Sequence, residues 1–265
     1  MKLKSLKKLL LIGLLCYIPF QTMAWGMLGH RVVGQIADSY LNKKTSREIK
    51  KILGNESVAM ASNWADFIKS EPAYNYLGNW HYINLPAGIN QAQLQHSLER
   101  DTVTDAYSRI LFLTSELKNK SLAHDKKVMY LRLLIHIVGD LHQPMHTGHL
   151  DDLGGNRIQV SWFGQPSNLH RVWDSDLIES KELSYTEYTH SINFIQKSQL
   201  HLLQSEDLAK WVSDSYQISE NIYAHVKSGD KLSYRYIYDN LAIADQQLLK
   251  GGVHLAGLLN TIFSN

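Results

Sequence analysis

The chain has 265 residues, with 27 lysines and arginines, 25 aspartates and glutamates, and 13 histidines. That length is sufficient for a good hydrophobic core within one domain. The formal net charge of +2 excludes a protein that binds nucleic acid through a strong excess of basic residues alone.

The first 24 residues have the order of a secretory signal. A basic stretch, residues 1–8, precedes an apolar run, residues 9–20, and the small residue Ala24 ends the segment. The apolar run is too short to span a bilayer comfortably, although an uncleaved anchor remains the alternative. We therefore expect cleavage after Ala24, a single domain of residues 25–265, no stable membrane association afterwards, and a secreted or periplasmic protein.

Cleavage would change the charge and the cysteine content. The predicted signal holds four of the basic residues and no acidic residue, so the rest of the chain has a net charge of −2. It also holds Cys16, the single cysteine of the sequence. An exported protein without disulfides must be stabilised by its core or by metal ions. Bound metal ions could also supply the positive charge that a nucleic-acid substrate requires.

Hydrophobic residues recur at spacings of three and four along most of the chain, which predicts helices. The expected helices cover residues 28–41, 45–53, 58–69, 103–117, 127–142, 206–226 and 236–259. Residues 82–86 are expected to be extended, residues 148–156 to form a loop, and residues 157–163 to form a small hairpin. No repeat or long linker divides the chain, so we predict a mainly α single domain with a minor β-hairpin.

The segment from residue 136 to residue 146 is the richest in candidate metal ligands. His136 and Asp140 lie four residues apart, on one face of an apolar predicted helix, and His146 follows. Two donors at that spacing can bind one metal ion, whereas a bare buried carboxylate is very costly. A buried hydrogen bond between the two side chains is the alternative. His170 and Asp174 repeat the spacing, which strengthens the metal interpretation.

Three further segments carry weaker candidates. Asp66 and Lys69 lie three residues apart and could instead form a surface salt bridge. His81 lies between aromatic residues and could be a packed core residue. A freed α-amine and carbonyl at Trp25 could chelate a metal ion together with His30, because such an amine loses its proton easily when a metal competes.

All of these candidates offer nitrogen or oxygen donors. They are Trp25, His30, Asp66, His81, His136, Asp140, His146, His170 and Asp174. Histidine-rich sites with some carboxylate suit zinc best. If Asp140 bridges two ions, nine residues suffice for three ions, with open positions left for water.

Six short motifs follow one another in a specific order along the chain. They are Gly-His at 29–30, Trp-Ala-Asp at 64–66, Trp-His-Tyr at 80–82, His-x-x-x-Asp-x-His-Gln-Pro-x-His at 136–146, Gly-Gly-Asn at 154–156 and Asn-Leu-His-x-x-Trp-Asp at 168–174. This order resembles the zinc-dependent class I nuclease/3′-nucleotidase family, which includes fungal single-strand-specific and plant bifunctional nucleases. The resemblance implies the helical fold that these nucleases share with zinc-dependent phospholipase C. The chain has no cysteine after residue 24, whereas eukaryotic members have disulfides, so it is more similar to a bacterial member of the family.

The resemblance also implies three zinc ions, with ligands carried over position by position. The first ion would be held by Asp66, His81, His136 and Asp140. The second would be held by His146, His170 and Asp174. The third would be held by the Trp25 amine and carbonyl, His30 and Asp140.

Further roles are implied for residues around the ions. Asp66 and Asp140 would be catalytic as ligands of the reacting ions, and Lys69 would neutralise charge on the phosphorane. Tyr82 would stack on a base, which suits a nuclease with broad substrates. Asn84 stands where fungal members have an aspartate that recognises the base, so the base preference is open.

Two other histidines are not expected to bind metal. His142 matches no ligand position and is expected to support the fold or a neighbouring ligand. His149 lies in the predicted loop and is expected to be exposed.

The function implied is that of an exported, monomeric phosphodiesterase that hydrolyses single-stranded DNA and RNA to 5′-phosphate products and also acts on 3′-nucleotides. A zinc-dependent phospholipase C is one alternative, but that family has glutamate where Asp174 stands. A non-catalytic zinc-binding protein is the other, and it would give Lys69 and Tyr82 no role.

Overall fold

A computed structural model describes residues 25–100 and 102–264. The predicted signal, residues 1–24, lies outside the described residues. The α-helices, numbered in chain order, are α1 (Met27–Ser39), α2 (Lys43–Leu53), α3 (Val58–Ala61), α4 (Trp64–Phe67), α5 (Gln91–Glu99), α6 (Ala106–Lys118), α7 (His124–Leu141), α8 (Leu169–Arg171), α9 (Leu177–Glu179), α10 (Tyr185–Ile192), α11 (Lys197–Ser205), α12 (Leu208–His225) and α13 (Tyr234–Phe263). No helix within these residues is both long and apolar enough to cross a membrane.

A small sheet is the minor β element. β1 (Gln159–Trp162) pairs antiparallel with β2 (Gln165–Asn168), and β3 (Lys231–Leu232) pairs parallel with β1. The prediction of a mainly α single domain with a hairpin is confirmed. The hairpin extends beyond residues 157–163, because β2 follows them. The two-residue strand β3 is too short to leave a pattern in the sequence.

Helix α7 forms the centre of the core and explains why its polar residues are buried. Every residue from Leu133 to Leu141 is buried, including His136 and Asp140. A helix that is buried on all sides places such side chains where only other protein groups or bound ions can satisfy them. Helix α13 packs beside α1, where a side chain at Gly252 would collide with Ile36.

The predicted single helix over residues 58–69 is wrong. The chain forms α3, turns at Ser62 and Asn63, and continues as α4 and a 3-10 turn at Ile68–Ser70. The Ser62 hydroxyl donates to the Ala59 carbonyl oxygen (2.7 Å), and the Asn63 amide donates to the Met27 carbonyl oxygen (3.2 Å). These side-chain bonds to the backbone stabilise the turn that interrupts the helix.

The extended segment at residues 82–86 is confirmed, and it joins two parts of the site. Ile83 N donates to the His146 carbonyl oxygen (2.8 Å), and Leu85 N donates to the Gly148 carbonyl oxygen (3.0 Å). These bonds hold residues 81–85 beside residues 146–148. The 3-10 helix that precedes them, Pro72–His81, and α5 were not predicted, because their apolar residues follow no clear period.

Candidate active site

A cavity of about 740 Å³ brings together residues that are far apart in the sequence. His81, His146 and His170 line it, and so do three other predicted site residues, Lys69, Tyr82 and Asn84. The other side chains predicted as ligands lie near these histidines or near one another.

The pair on α7 meets two further histidines. His136 Nε2 lies 3.2 Å from Asp140 Oδ2, as the four-residue spacing predicts. His81 Nδ1 lies 2.9 Å from Asp140 Oδ2 and 3.0 Å from His136 Nε2. On the other side of the carboxylate, His30 Nε2 lies 3.2 Å from Asp140 Oδ1. Asp140 therefore occupies the centre of this part of the site, with imidazoles on both of its oxygens.

Three of the histidines are oriented in the same way by backbone carbonyl groups. His136 Nδ1 donates to the Ser62 carbonyl oxygen, His146 Nδ1 to that of His81, and His170 Nδ1 to that of Gly154, each at 2.6 Å. A carbonyl oxygen can only accept, so each ring carries its proton on Nδ1 and keeps Nε2 free of one in its neutral form. Metal-binding histidines are typically oriented by such bonds.

The donor atoms fall into three groups, within each of which they lie no more than 4.8 Å apart. The groups are His30, Asp66 and His136; His81, His136 and Asp140; and His146, His170 and Asp174. All eight side chains predicted as ligands are therefore brought together. The expected partition differs for two residues, because His30 and Asp66 are grouped with each other and His136. Asp66 was expected with His81, His136 and Asp140, and His30 was expected with Asp140, which it also contacts.

The carboxylates of the first two groups remain ionised in spite of their burial. Burial alone would raise the pKa of Asp66, but His136 and Lys69 bring that pKa down to about 2. Lys69 Nζ lies 2.6 Å from Asp66 Oδ1. Burial acts on Asp140 in the same direction, and His136 and His146 hold the pKa of Asp140 well below its usual range.

The histidines divide into two kinds. Burial lowers the pKa of His81 to about 4, so this ring is neutral at physiological pH. Burial also opposes charge on His146, but Asp140 and Asp174 raise its pKa to about 9. The two carboxylates therefore favour a positive charge at this end of the site, and a proton supplies it when no other cation is bound.

The donor set fits bound metal ions. Asp140 and Asp174 are buried, and the Asp66 side chain is only 4% exposed. Even so, Lys69 is the only lysine or arginine that forms an ion pair with any of these carboxylates in the described part of the chain. The Nε2 atoms of His81 and His146 are also buried without a hydrogen-bond partner among the described residues. Cations held in these groups would neutralise the carboxylates and use the free imidazole nitrogens.

Comparison with known proteins decides the family. The family model of the S1/P1 nucleases matches residues 25–264. The chain belongs to the S1/P1 nuclease family. The resemblance inferred from the six motifs is thereby confirmed, and membership of this family supports hydrolysis of nucleic acids.

Plant and fungal relatives align over almost their whole length. Endonuclease 3 of Arabidopsis thaliana is 34% identical over 267 residues, which cover 91% of this chain and 90% of that protein. Nuclease P1 of Penicillium citrinum is 28% identical over 275 residues, covering 90% and 97%. Nuclease S1 of Aspergillus oryzae is 25% identical over 272 residues, covering 92% and 93%.

Several supporting residues of this S1/P1 nuclease were missed in the sequence. The carbonyl groups of Ser62 and Gly154 orient candidate ligand histidines, and a backbone atom leaves no signal in the residue type. Gln143 donates its side-chain amide to Asp174 Oδ1 and accepts from Met145 N (2.5 Å). It lies inside the motif at residues 136–146, so its position in that motif was the available signal.

The expectation for His142 is confirmed by the structure, and the expectation for His149 is not. His142 donates from Nδ1 to the Val138 carbonyl oxygen (2.7 Å) and hydrogen-bonds His254 (2.7 Å), so it supports the fold, as expected. His149 was expected to be exposed, and that expectation is wrong. Its ring stacks on Tyr223 with 3.8 Å between centroids and pairs with Glu220, because the loop folds back onto α12.

The segment before α1 lies next to the group formed by His146, His170 and Asp174. Gly26 N donates to the Asp174 carbonyl oxygen (2.6 Å), and the Trp25 side chain is fully buried. This bond places the backbone of the predicted mature N-terminus beside a residue that is itself a candidate ligand.

Proposed function

We propose that this protein is an exported, zinc-dependent phosphodiesterase that hydrolyses single-stranded DNA and RNA to products with 5′-phosphates, acts on 3′-nucleotides, and works as a monomer. The observation that carries the proposal is the convergence of three histidine–aspartate groups on a cavity that also contains Lys69, Tyr82 and Asn84. Family membership supports the nuclease part, and the donor chemistry supports zinc.

The proposed site holds three zinc ions. Eight side chains would provide ligands, and the Trp25 amine and carbonyl would complete the set after removal of residues 1–24. The ligands are Trp25, His30, Asp66, His81, His136, Asp140, His146, His170 and Asp174. Zinc held there would supply Lewis acidity to the phosphodiester and would lower the pKa of the attacking water.

Lys69 provides a positive side chain beside the donor groups in the proposed mechanism. Its ammonium group lies against Asp66, and its side chain is 26% exposed and lines the cavity. The Asp66 carboxylate thus holds the ammonium group at the edge of the donor groups, where it can neutralise charge that develops on a phosphoryl oxygen.

Tyr82 and Asn84 are placed to bind a base. Tyr82 is half-buried and donates to Asn79 Oδ1 (2.9 Å), which fixes its ring at the cavity wall. Asn156, Gln159 and Asn168 also line the cavity, but each of their amides bonds to the backbone. The Asn84 amide has no hydrogen bond with the described residues, so it is available for the edge of a base.

This arrangement gives a physical reason for a preference for single strands. A base that stacks on Tyr82 must first leave its own stack. Leaving the stack costs a few kcal/mol in a duplex and much less in a single strand. Stacking tolerates any base, which fits cleavage of both DNA and RNA.

The experiment uses protein that starts at Trp25. Hydrolysis of single-stranded DNA and RNA is measured before chelation, after chelation, and after zinc is restored. We expect chelation to abolish activity, zinc to restore it, and the products to carry 5′-phosphates. A second form with extra residues before Trp25 tests the terminal amine, and we expect it to bind less zinc and to lose activity.

Two results would contradict the proposal. If fully zinc-loaded protein left nucleic acid intact, the nuclease assignment would be abandoned and phosphatidylcholine would be tested as a substrate. If matched single- and double-stranded substrates were cleaved at equal rates, the strand preference would be wrong.

Localisation is tested separately by N-terminal sequencing of protein recovered from the periplasm and the medium.

A further inference from the structure

The cavity carries a local excess of positive charge that the ligand groups do not explain. Its lining contains Lys69, Arg157 and Arg171, and no aspartate or glutamate from the described residues. The chain after residue 24 has a net charge of −2, so this excess does not reflect the average composition. Lys69 belongs to the site described above, but the two arginines have no role there.

Both guanidinium groups keep donors available for a ligand. Arg157 is exposed, donates once to the Asp151 carbonyl oxygen (2.8 Å), and forms no ion pair within the described residues. The Arg171 side chain is 53% exposed, and its Nε lies 3.5 Å from Asp176 Oδ1, which is long for a hydrogen bond. A guanidinium group has five N–H donors, so most of them remain free on each side chain.

The arginines adjoin a different donor group from the one that Lys69 contacts. Arg171 directly follows the candidate ligand His170, and Arg157 follows the loop whose Gly154 carbonyl orients that same histidine. Lys69 is instead held against Asp66, which belongs to another donor group. Positive side chains of the cavity lining are therefore associated with two different donor groups.

We propose that Arg157 and Arg171 form a phosphate subsite that binds a backbone phosphate beside the scissile one. The inference rests on the proposed function and deepens it, because it makes polynucleotides better substrates than molecules with a single phosphate. The planar guanidinium group suits phosphate oxygens, to which it can donate two parallel hydrogen bonds. Such contacts carry no base information and position the strand.

The experiment compares two substrates that differ in flanking phosphates. One is a single-stranded DNA oligonucleotide of about twelve nucleotides, within the site sizes of single-strand-binding domains. The other is a dinucleoside monophosphate, whose only phosphate is the scissile one. Arg157→Gln, Arg171→Gln and the double variant are measured on both, with zinc-loaded protein.

We expect each single substitution to lower kcat/KM on the oligonucleotide about fivefold, the size expected for one exposed charge pair. The loss should appear in KM, with kcat unchanged, and the double variant should lose more than either single variant. On the dinucleoside monophosphate all variants should match the wild type. The slope of log kcat/KM against log salt should also become shallower by about 0.7 for each arginine removed.

The control is Arg235→Gln, because Arg235 is 80% exposed, pairs with Asp239 and lies outside the cavity lining. The variants Arg157→Lys and Arg171→Lys keep the charge and should keep the salt slope. Equal losses on both substrates, or no loss on the oligonucleotide, would overturn the subsite while leaving the nuclease intact. Wild-type protein that cleaves neither substrate would overturn the proposed function, and the subsite with it.

Discussion

The His30 imidazole packs directly against the backbone of Gly139. A methyl group at residue 139 would lie 2.9 Å from His30 Nδ1, which is closer than real side chains approach. The His30 ring also stacks on His136, which lies on the same helix as Gly139, with 3.8 Å between the ring centroids. The absence of a side chain on α7 at this position thus allows a histidine from α1 to reach Asp140.

Gly139→Ala should therefore impair the metal site. In an ordinary helix interior this substitution stabilises by about 0.5–1 kcal/mol. Here the added methyl would displace His30, so we expect at least about tenfold weaker zinc binding and lower activity. Bound zinc is measured by elemental analysis after dialysis. The control for zinc content is Gly78→Ala, because a Cβ at Gly78 meets no atom within 4 Å and Gly78 is not a candidate ligand. Equal zinc in both variants would contradict this role of Gly139.

Gln143→Glu should weaken the group of His146, His170 and Asp174. The substitution replaces a donor to Asp174 with a second carboxylate, which repels the first. We expect the protein to lose about one zinc ion per chain and about 10- to 100-fold in activity. The control is Gln217→Glu, which makes the same charge change on the exposed face of α12 and should retain both full zinc content and full activity. Full zinc content in the Gln143 variant would show that this bond does not support the ligand.

The buried His142 should make stability depend on pH. Burial lowers the pKa of His142 from 6.5 to about 4, so the unfolded chain binds a proton at higher pH than the folded one. The neutral His142 ring contributes fully to the free energy of unfolding above pH 6.5, and this contribution is lost as the pH falls towards 4. In His142→Gln that dependence should disappear, so the difference in unfolding free energy from the wild type should shrink by about 1.4 kcal/mol per pH unit below 6.5.

That difference is measured by urea unfolding from pH 7.5 to pH 5. The candidate metal ligands also affect how stability depends on pH, but both proteins have the same ligands. Their effect therefore cancels in the difference between the two unfolding free energies. His201→Gln is the control, since His201 is exposed on α11 and should leave the pH dependence as it is. A difference that stays constant with pH would contradict the assignment.

Tyr82→Leu should reduce the use of single-stranded substrates. Stacking of one base on an aromatic ring contributes about 1–3 kcal/mol, so kcat/KM should fall at least about fivefold. Zinc content and thermal stability should be unchanged, because the ring lies at the cavity wall and not among the donor groups. Tyr238→Leu, at a side chain that is 80% exposed, is the matched control. An unaltered rate in the Tyr82 variant would remove base stacking from the mechanism.

The convergence of much of the candidate ligand set could be predicted because its spacing is local. His136 with Asp140, and His170 with Asp174, are pairs whose four-residue separation places both side chains on one helical face. The long helices followed from apolar periodicity for the same reason. The break at Ser62 could not be predicted, because side-chain bonds to distant and local carbonyl groups compete there with the helix.

The sequence by itself determined the residue types, the helical pairs and the family, since each of these depends on local spacing and on the order of motifs. The tertiary structure decided which pairs meet. His81 reaches Asp140 because the segment at residues 82–86 bonds to residues 146–148, and His30 reaches it because Gly139 has no side chain. It also decided that Arg157 and Arg171 share a cavity with the ligands. Contacts between distant segments depend on packing of the whole core, which no local pattern records.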